Sequence, residues 1–359
     1  MHLVFNILFI NSSPYFGGTE KWAITCAVLL KQRGHEIWLA GRYPKILQRA
    51  TDNGLKTIQL PLKNDFDLLS VFRLRKYIAK HKIDIIISTK VREYWLGGCA
   101  AELSSIPLII RLGIRRKINQ SFKNRLIYHT FMKAMIVNTE AIKNALLEYA
   151  FIDPERINVI RNGIDCSENL VQKNKNDQMV TIISIGALSE RKNVRTIIQI
   201  FFKLQNQIDS IPLRLWIVGD GPQRIELYNF VIQLGIQKKV RFWGHRDDIP
   251  ELLQQADIML HLSRSEGFPN AAMEAMAAGV PLLISEFDGV EEFVSDGENA
   301  YVVNPSDEKN VIRLLMQLIK DPDTYNKIRM NAYHHMKTNF SLARMADETE
   351  HVIRSVING

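Results

Sequence analysis

Two glutamates separated by seven residues, Glu266 and Glu274, carry the strongest chemical signal in the sequence. An apolar strand ends shortly before Glu266. A helix of small residues is predicted to begin near Pro269 and Asn270, with Glu274 about one turn inside it. Ionised carboxylates accept hydrogen bonds from neighbouring hydroxyls, so each glutamate can hold a vicinal diol, one on a sugar and one on a ribose. The helix N-terminus offers backbone N–H groups to a phosphate.

The alternative for this stretch is structural, with Glu266 and Glu274 only stabilising the helix dipole or facing solvent. Small residues in the predicted helix argue against that alternative, because they indicate that another group packs close by. These residues are Ala271, Ala272, Ala275, Ala277 and Ala278.

Two adjacent cations, Arg191 and Lys192, follow the predicted strand Val180–Ile185 near its carboxyl end. Arginine can bind a phosphate through two parallel hydrogen bonds and lysine acts as a compact charge, so the pair suits a diphosphate. On these residues alone, a solvated pair of surface charges remains the alternative.

Glycine-rich turns join strands to helices at Pro14–Glu20, which contains Gly17 and Gly18, and at Val218–Pro222, which contains Gly219. Glycine lets the backbone come close to a ligand, and a helix N-terminus presents N–H groups to an anion. Neither turn has the full spacing of a dinucleotide-binding motif or a Walker lysine, so a plain tight turn is the alternative for both.

Strands that alternate with helices must position these residues. Strands are predicted in the first half at Asn6–Ile10, Glu36–Ala40, Asp84–Ser88, Leu108–Ile110, Met135–Asn138 and Asn158–Ile160, with helices at Thr19–Arg33 and Asp67–His81. Strands are predicted in the second half at Val180–Ile185, Leu213–Val218, Val240–Phe242, Asp257–His261, Pro281–Ile284 and Ala300–Val303, with helices at Val194–Ile208, Gln223–Leu234, Pro322–Met336 and Leu342–Val356.

This alternation predicts an α/β fold of two tandem Rossmann-like, doubly wound domains with a deep cleft between them for the ligand. The boundary is predicted at residues 165 and 166, followed by the polar stretch Gln172–Gln178, which is interpreted as a linker or hairpin.

The composition excludes several classes of protein. With 46% hydrophobic and 23% charged residues, the 359-residue chain is not intrinsically disordered. It has no apolar run near the ~20 residues of a membrane-spanning helix, and its apolar start is interpreted as a strand rather than a signal peptide. The three widely spaced cysteines favour a reducing cytoplasm.

The charge is divided unevenly along the chain. Residues 1–165 hold 25 Lys and Arg against 13 Asp and Glu, a net charge of +12, whereas residues 166–359 hold 21 against 25, a net charge of −4. The first half is therefore expected to face something anionic, such as a membrane surface, a phosphorylated acceptor or a nucleic acid.

Taken together, these motifs resemble the family-four retaining glycosyltransferases with the GT-B fold. The resemblance rests on GGTE at Gly17–Glu20, NGID at Asn162–Asp165, GALSERKN, VGDGP, VRFWGH and EGFPNAAMEAMAAGVPLL, in this order. It covers nearly the whole chain and is densest from Asn162 to about Val303. The pair Glu266 and Glu274 is similar to the paired-glutamate motif of that family.

The resemblance implies a role for each of these residues. Glu266, Arg191 and Lys192 would be catalytic, with Glu266 on the hydroxyls of the donor sugar and the two cations on the diphosphate leaving group. Glu274 would bind the ribose, and Gly17 and Gly18 would approach the diphosphate. The other donor-binding residues would be Phe268, Pro269, Asn270 and Ala271 through their backbone amides, Gly219 in its turn, and Arg241 in the segment beside the base.

The resemblance also implies a division of labour. Residues 1–165, joined by a C-terminal helix at 340–359 that crosses back, would bind the acceptor, and residues 166–339 would bind the nucleotide sugar. The expected reaction moves a hexose or N-acetylhexosamine from a nucleotide sugar, most simply a UDP-sugar, to a glycan or lipid-linked glycan in envelope polysaccharide or lipopolysaccharide synthesis.

Two departures from the family pattern bear on the chemistry. Ala187 stands where members often carry an arginine, so Arg191 and Lys192 must hold the diphosphate charge. Members often have a histidine after a strand like Leu108–Ile110, whereas this chain has Arg111, so no catalytic base is assigned. We expect no metal and no cofactor, because Asp67 in the Asp65-Phe66-Asp67 run fits a helix N-cap better than a metal ligand.

Other classes fit less well. A nucleotide-sugar epimerase of the same two-domain architecture is the main alternative, but it needs acid and base residues that no motif supplies. A glycosidase would place its carboxylates on either side of a glycosidic bond. A Rossmann dehydrogenase lacks its complete glycine motif, and a nucleic-acid-binding protein lacks an aromatic platform, so no nucleic-acid partner is expected.

The segment 111–125 carries six basic residues and no acidic one. Ile114, Ile118 and Phe122 recur in it at a spacing of four, which is typical of a basic amphipathic segment on an anionic surface. It predicts a cytoplasmic protein held at the cytoplasmic face of the inner membrane, as a monomer or weak dimer. The residues predicted to face the membrane or acceptor are Arg111, Arg115, Arg116 and Lys117. A solvated loop is the alternative.

Overall fold

The computed structural model describes residues 3–166, 179–208, 210–266 and 268–358. The chain divides into two compact units, residues 1–163 with 342–359, and residues 164–341. The stretch Gln172–Gln178, predicted as a linker or hairpin, lies outside the described residues.

The first unit is an α/β layer structure around a parallel sheet. Its strands within the described residues are β1 (Asn6–Ile10), β2 (Glu36–Gly41), β3 (Lys56–Gln59), β4 (Ile85–Ser88), β5 (Leu108–Leu112), β6 (Met132–Val137) and β7 (Ile157–Val159). Its helices are α1 (Gly18–Gln32), α2 (Pro44–Asp52), α3 (Leu68–His81), α4 (Val91–Glu102), α5 (Phe122–Arg125) and α6 (Glu140–Leu146), with a π-helical turn at Leu126–Phe131 and a 3₁₀ turn at Pro154–Arg156.

The second unit repeats this plan. Its strands within the described residues are β8 (Val180–Ile185), β9 (Leu213–Val218), β10 (Val240–Gly244), β11 (Ile258–His261), β12 (Leu282–Ser285) and β13 (Tyr301–Val303). Its helices are α7 (Val194–Gln205), α8 (Arg224–Gln233), α9 (Ile249–Gln255), α10 (Asn270–Ala277), α11 (Glu308–Lys320) and α12 (Pro322–Asn339), with 3₁₀ turns at Glu190–Lys192 and Val290–Glu292. The last helix, α13 (Leu342–Asn358), belongs to the first unit and packs on α1.

Both sheets are wound in two directions from a central strand. The strand order is β3-β2-β1-β4-β5-β6-β7 in the first unit and β10-β9-β8-β11-β12-β13 in the second, and the paired strands run parallel. The predicted fold class, two doubly wound α/β domains, is confirmed. The order reverses between β1 and β4 and between β8 and β11, and ligands of such folds bind at the carboxyl ends of the strands at this reversal.

The sequence forms these sheets because most of the strands are short, mainly apolar runs. The side chains of Ile7 to Ile10 in β1 and all of β4 are buried, as expected where helices cover both faces of a parallel sheet. The helices cover the sheets with one apolar stripe each. In α7 the buried residues Val194, Ile197, Ile198 and Phe201 recur at helical spacing.

Candidate functional site

The reversal of the second sheet brings two loops together, one after β8 and one after β11. Gly186 follows β8 directly with φ +155°, and the chain then makes the 3₁₀ turn that holds Arg191 and Lys192. Asn193 closes the turn in the left-handed region at φ 54°, which asparagine tolerates better than most residues, and α7 begins directly after it. The two cations are thus fixed at the carboxyl edge of the sheet.

The loop after β11 brings Glu266 to these cations. The Arg191 guanidinium donates to Glu266 Oε2 at 3.0 Å, and the Lys192 ammonium donates to Oε1. His261, the last residue of β11, lies with Nε2 2.9 Å from the same Oε1. A carboxylate only accepts hydrogen bonds, so His261 presents a protonated Nε2 to it. The three predicted catalytic residues are therefore in direct contact, with a buried histidine beside them.

The side chains of this cluster differ in their exposure to solvent, and burial and mutual contacts change their pKa values. The Lys192 side chain is 14% exposed and the Arg191 side chain 50% exposed. Burial raises the pKa of Glu266, but hydrogen bonds and charge from His261 and Lys192 outweigh it and leave the pKa well below its usual range. Burial lowers the pKa of Lys192 and of His261, and Glu266 opposes part of both changes. Glu266 is therefore ionised throughout the physiological pH range.

Backbone and side-chain hydrogen bonds fix the two loops to each other. The Arg264 N–H donates to the Arg191 carbonyl at 2.8 Å, and the Arg191 guanidinium donates to the Ser265 carbonyl at 2.6 Å. The Arg264 guanidinium also pairs with Glu190 at 2.8 Å. These contacts hold the loop of the cation pair and the loop of the carboxylate next to each other at the sheet edge.

The turn after β9 lies against the same edge. A Cβ on Gly219, which has φ +138°, would come within 1.9 Å of the Gly186 carbonyl oxygen, so only glycine fits. The Gly219 N–H donates to the Gly244 carbonyl at 2.8 Å, which joins this turn to the end of β10. On β10 the Arg241 guanidinium stacks 3.5 Å from the centre of the Trp243 ring.

Helix α10 begins four residues after Glu266. Pro269 precedes it and has no side-chain group that could cap the N-terminus, so the helix start is suited to an external anion. Asn270, Ala271 and Glu274 are partly exposed there, whereas the Phe268 ring packs on Phe293 and Phe340 at centroid distances of 5.3 and 6.1 Å. The buried alanines of α10 belong to the core that it shares with α12, so close helix packing explains them without a ligand.

In the first unit, Gly17 and Gly18 lie where β1 leads into α1. Gly17 is the N-cap of α1, and its N–H donates to Glu20 Oε2 at 2.9 Å. Glu20 is buried and pairs with Lys90 at 2.7 Å. Burial raises the pKa of Glu20, but Lys90 and the Gly17 N–H outweigh burial and leave the pKa below its usual value. Lys90 follows β4, so this ion pair spans the strand reversal of the first sheet.

A second buried carboxyl group lies beside this reversal. The Ser12 N–H donates to Glu93 Oε1 at 2.9 Å, and the Ser12 hydroxyl contacts the same oxygen. Burial raises the pKa of Glu93 to about 7, although the Ser12 hydrogen bonds oppose the increase. Its Oε2 is buried without a hydrogen-bond partner in the described residues.

The prediction that Arg111 faces a membrane is wrong. Strand β5 extends to Leu112, which buries Arg111 to 2% exposure and stacks its guanidinium 4.8 Å from the Trp22 ring centre. Its guanidinium donates to Asn162 Oδ1 at 3.1 Å and to the Thr19 hydroxyl at 3.3 Å. Burial lowers its pKa to about 10.

The rest of the basic segment is not a continuous amphipathic helix. Residues 113–121 form no regular element, and Ile118 is buried while Ile114 and Phe122 are exposed. Arg115, Arg116 and Lys117 are exposed, as the prediction requires.

Two family models match the chain in tandem. "Glycosyltransferase Family 4" matches residues 16–168 and "Glycosyl transferases group 1" matches residues 166–335. The chain belongs to this group of glycosyltransferases. This membership favours glycosyl transfer over the epimerase alternative.

Full-length relatives of this glycosyltransferase include two bacterial enzymes. The N-acetyl-alpha-D-glucosaminyl L-malate synthase of Bacillus anthracis is 26% identical, covering 97% of this chain and 96% of that protein. The UDP-Gal:alpha-D-GlcNAc-diphosphoundecaprenol alpha-1,3-galactosyltransferase of Escherichia coli is 23% identical, covering 99% of each. The Anabaena protein HepE, solved with UDP and glucose, superposes with a TM-score of 0.82 at 21% identity, covering 98% of this chain and all of that one.

Sequence reasoning missed one residue at the centre of the cluster in this glycosyltransferase. His261 is the polar end of the apolar strand IMLH, five residues before Glu266, and a buried histidine at a strand end near a carboxylate was the available signal. Asp67 caps α3 through the Ser70 N–H at 3.0 Å, as predicted. The described residues contain no group of three or more His, Cys, Asp or Glu side chains arranged to hold a metal ion.

Proposed function

We propose that this glycosyltransferase moves a hexose or N-acetylhexosamine from a UDP-sugar to a glycan or lipid-linked glycan acceptor, with retention at the anomeric carbon. The observation that carries the proposal is the contact of Arg191, Lys192 and Glu266 at the strand reversal of the second sheet. This edge is where doubly wound folds bind nucleotides, and the group combines two cations with a carboxylate that stays ionised.

The cations bind the diphosphate. In the structure Arg191 and Lys192 both form ion pairs with Glu266. A bound diphosphate would offer the two cations a second anion at the same edge of the sheet. Negative charge grows on the diphosphate as the bond to the sugar breaks, so cations fixed in advance stabilise the transition state more than the ground state.

Glu266 binds the sugar. His261 keeps a hydrogen bond to Oε1 when the cations turn to phosphate, which holds the carboxylate in position and ionised. Carboxylate oxygens have several acceptor sites, so Glu266 can also accept hydrogen bonds from two sugar hydroxyls. Glu274, one turn from the α10 start, binds the ribose diol. The α10 N-terminus, with backbone N–H groups at Phe268, Asn270 and Ala271, binds phosphate and sugar, whereas Pro269 has no N–H to donate.

The base lies along the end of β10. Gly219 brings the backbone of its turn to within hydrogen-bond distance of Gly244, and the stacked Arg241 and Trp243 stand on the same strand. Gly17 and Gly18 are assigned to diphosphate binding because α1 begins directly at them, and a helix N-terminus offers backbone N–H groups to an anion.

Transfer follows a front-face course. The bond from the anomeric carbon to the diphosphate oxygen breaks, and the acceptor oxygen forms its bond on the same face. The acceptor proton passes to the departing phosphate oxygen, so no protein base is needed. The reaction is metal-independent in this proposal, since Arg191 and Lys192 supply the charge that a divalent ion supplies in other transferases.

The acceptor side of the proposal draws on relatives. The E. coli relative is named for a UDP-galactose donor and a diphosphoundecaprenol-linked acceptor, and the HepE structures contain UDP, glucose or UDP-glucose. None of the described helices has the length and apolarity to cross a bilayer. We therefore propose peripheral attachment to the cytoplasmic face of the inner membrane, with Arg115, Arg116 and Lys117 toward anionic lipid, and a monomer or weak dimer.

Nucleotide binding tests the donor site first. A ligand that binds only the folded chain raises its apparent stability, so UDP should raise the melting temperature while GDP and ADP should not. The shift should persist in EDTA and disappear when Arg191 and Lys192 are both replaced by alanine. Equal shifts with all three nucleotides, or a shift that EDTA abolishes, would contradict the proposal.

A further inference from the structure

Helix α3 begins with apolar side chains that face solvent. Phe66, just before the helix, is 90% exposed, and Leu68, Leu69 and Phe72 in its first turns are more than half exposed. The opposite face of α3 is the one that packs on the sheet, through Ser70, Val71, Leu74 and Ile78. Four exposed large apolar residues within seven positions are unusual, since a monomer rarely exposes a contiguous apolar surface without a use for it.

A second exposed apolar segment is joined to this one. Phe122 is 77% exposed at the start of α5, and the next residue, Lys123, pairs with Asp65, the neighbour of Phe66. The Trp95 indole donates to the Asp65 carbonyl at 2.9 Å, which anchors this junction on α4. We call Phe66, Leu68, Leu69, Phe72 and Phe122 the apolar patch.

Positive charge surrounds the apolar patch. The sequence from Leu68 to Ile83 contains no acidic residue, and the exposed side of α3 carries cations at Arg73, Arg75, Lys76 and Lys80. The acids at the helix start are engaged, because Asp65 pairs with Lys123 and Asp67 accepts hydrogen bonds from Ser70 and from the Lys63 N–H. The exposed Arg115, Arg116 and Lys117 lie in the loop that leads to Phe122.

A comparison within the chain shows that this combination is specific. Helix α8 of the second unit also exposes apolar side chains, with Ile225 at 77% and Tyr228 and Ile232 about half exposed. Its charges, however, are balanced, since Arg224 pairs with Asp220 and Glu226 pairs with Arg195. An apolar face with balanced charges around it does not favour a partner of either charge. The apolar face of α3 has an excess of cations around it, which favours an anionic partner.

We propose that the apolar patch enters the interfacial layer of an anionic lipid bilayer, while the surrounding lysines and arginines bind the lipid phosphates. Long basic side chains can reach headgroups from beside an inserted apolar group, and an amphipathic surface of this kind binds through both terms together. The inference rests on the proposed membrane location. It assigns the contact to the start of α3 and Phe122, with the loop at Arg115 to Lys117 as an accessory.

Vesicle binding tests the patch with matched variants. The partition of the full chain into phosphatidylcholine vesicles with and without phosphatidylglycerol is compared for wild type, Phe66→Ser/Phe72→Ser and Ile225→Ser. Each aromatic ring withdrawn from the bilayer should weaken binding by about tenfold or more. Arg73→Ser/Lys76→Ser/Lys80→Ser should weaken it by about a hundredfold on anionic vesicles, at about fivefold per cation. Lys238 and Lys239, two exposed lysines just before β10 in the second unit, give the charge control. Ile225→Ser and Lys238→Ser/Lys239→Ser should bind like wild type.

Insertion itself has a separate readout. The Phe66→Trp variant should be quenched by brominated lipids more strongly than wild type or Ile225→Trp, because only its added indole lies in the bilayer. The proposal is overturned if quenching does not exceed that of wild type. It is also overturned if Phe66→Ser/Phe72→Ser binds vesicles normally, or if this variant instead dissociates a dimer that forms without lipid.

Donor chemistry separates this inference from the proposed function. UDP binding and turnover of a UDP-sugar with a water-soluble acceptor should be unchanged in Phe66→Ser/Phe72→Ser. If vesicle binding is lost and these activities persist, both proposals stand. If wild type binds vesicles through the patch but binds no UDP, the docking surface is right and the proposed donor is wrong.

Discussion

Lys192 and Arg191 contact the same carboxylate but differ in exposure, and this difference predicts unequal catalytic losses. Lys192 is largely buried, whereas half of the Arg191 side chain is in water. Two unit charges about 4 Å apart attract by about 4 kcal/mol at an effective dielectric constant of about 20, and by about 1 kcal/mol in bulk water. The charge on Lys192 should therefore be felt by the diphosphate much more strongly than the charge on Arg191.

The expected loss follows from how much of this attraction develops in the transition state. Removing one preorganised donor typically lowers kcat by about 10²–10³, and Lys192→Ala should fall in this range. For the half-exposed Arg191, solvent screening limits the contribution to about 1 kcal/mol, so Arg191→Ala should lose about tenfold or less. Lys192→Arg should recover part of the loss by restoring the positive charge.

UDP release from the UDP-sugar, measured with saturating acceptor, gives kcat for each variant. Lys203→Ala is the matched control, because Lys203 pairs with Glu308 and lies in the last turn of α7, whereas the two cations precede its first turn. Its kcat should equal that of wild type. The reasoning is refuted if Lys192→Ala turns over at a near-normal rate, or if Arg191→Ala loses more than Lys192→Ala.

Three further changes probe other parts of the structure. Glu274→Ala should weaken UDP binding by about 1.5–3 kcal/mol while Glu266→Gln should spare it and impair transfer, and equal calorimetric affinities for both variants would contradict the ribose role of Glu274. Glu93 keeps a proton in the folded chain up to pH about 7 but loses it near 4.5 when unfolded, so its stabilising contribution is complete below pH 4.5 and disappears as pH rises through 7. In wild type the free energy of unfolding should fall by about 3 kcal/mol over this pH range, and in Glu93→Gln it should not. The same pH dependence in Glu93→Gln and wild type would contradict this role of Glu93. Gly219→Ala should lower the melting temperature and abolish UDP binding, because the added Cβ would clash with the Gly186 carbonyl. An unchanged melting curve would disprove this clash.

The strands were predictable from the sequence because burial on both faces leaves a clear pattern. Strands β8 (VTIISI) and β9 (LRLWIV) begin and end at the predicted residues, since each is a mainly apolar run between polar turns. Strand β3 was not predicted because only Ile58 of its four residues is buried, which leaves no periodic signal. Asp67 as the α3 cap was predictable because capping is local.

Helix α4 was missed for a different reason. Its sequence contains Gly97 and Gly98, which disfavour a helix on local grounds. The structure requires them, because a Cβ on Gly97 would lie 2.8 Å from the Ser88 hydroxyl and one on Gly98 would lie 2.4 Å from the Phe131 ring. Tertiary packing decides these positions, and a local pattern does not contain that information.

Site residues were predictable one motif at a time, but their contacts were not. Arg191 and Glu266 are 75 residues apart, and only the parallel order of β8 and β11 brings their loops together. The same limit explains the error at Arg111, which reads as part of a basic run but is the fourth residue of a buried strand. His261 was overlooked because its place at the end of an apolar strand, five residues before Glu266, is just as typical of a core histidine.

The products formed from a UDP-sugar test the central claim most directly. The protein is incubated with UDP-glucose, UDP-galactose or UDP-N-acetylglucosamine and acceptors that carry a sugar on a lipid diphosphate, and the anomeric protons are followed by NMR. We predict that one donor is consumed, that UDP is released, and that the new glycosidic bond has the anomeric configuration of the donor, with little product from Lys192→Ala. Transfer with the opposite configuration, or conversion of one nucleotide sugar into another without transfer, would contradict the account.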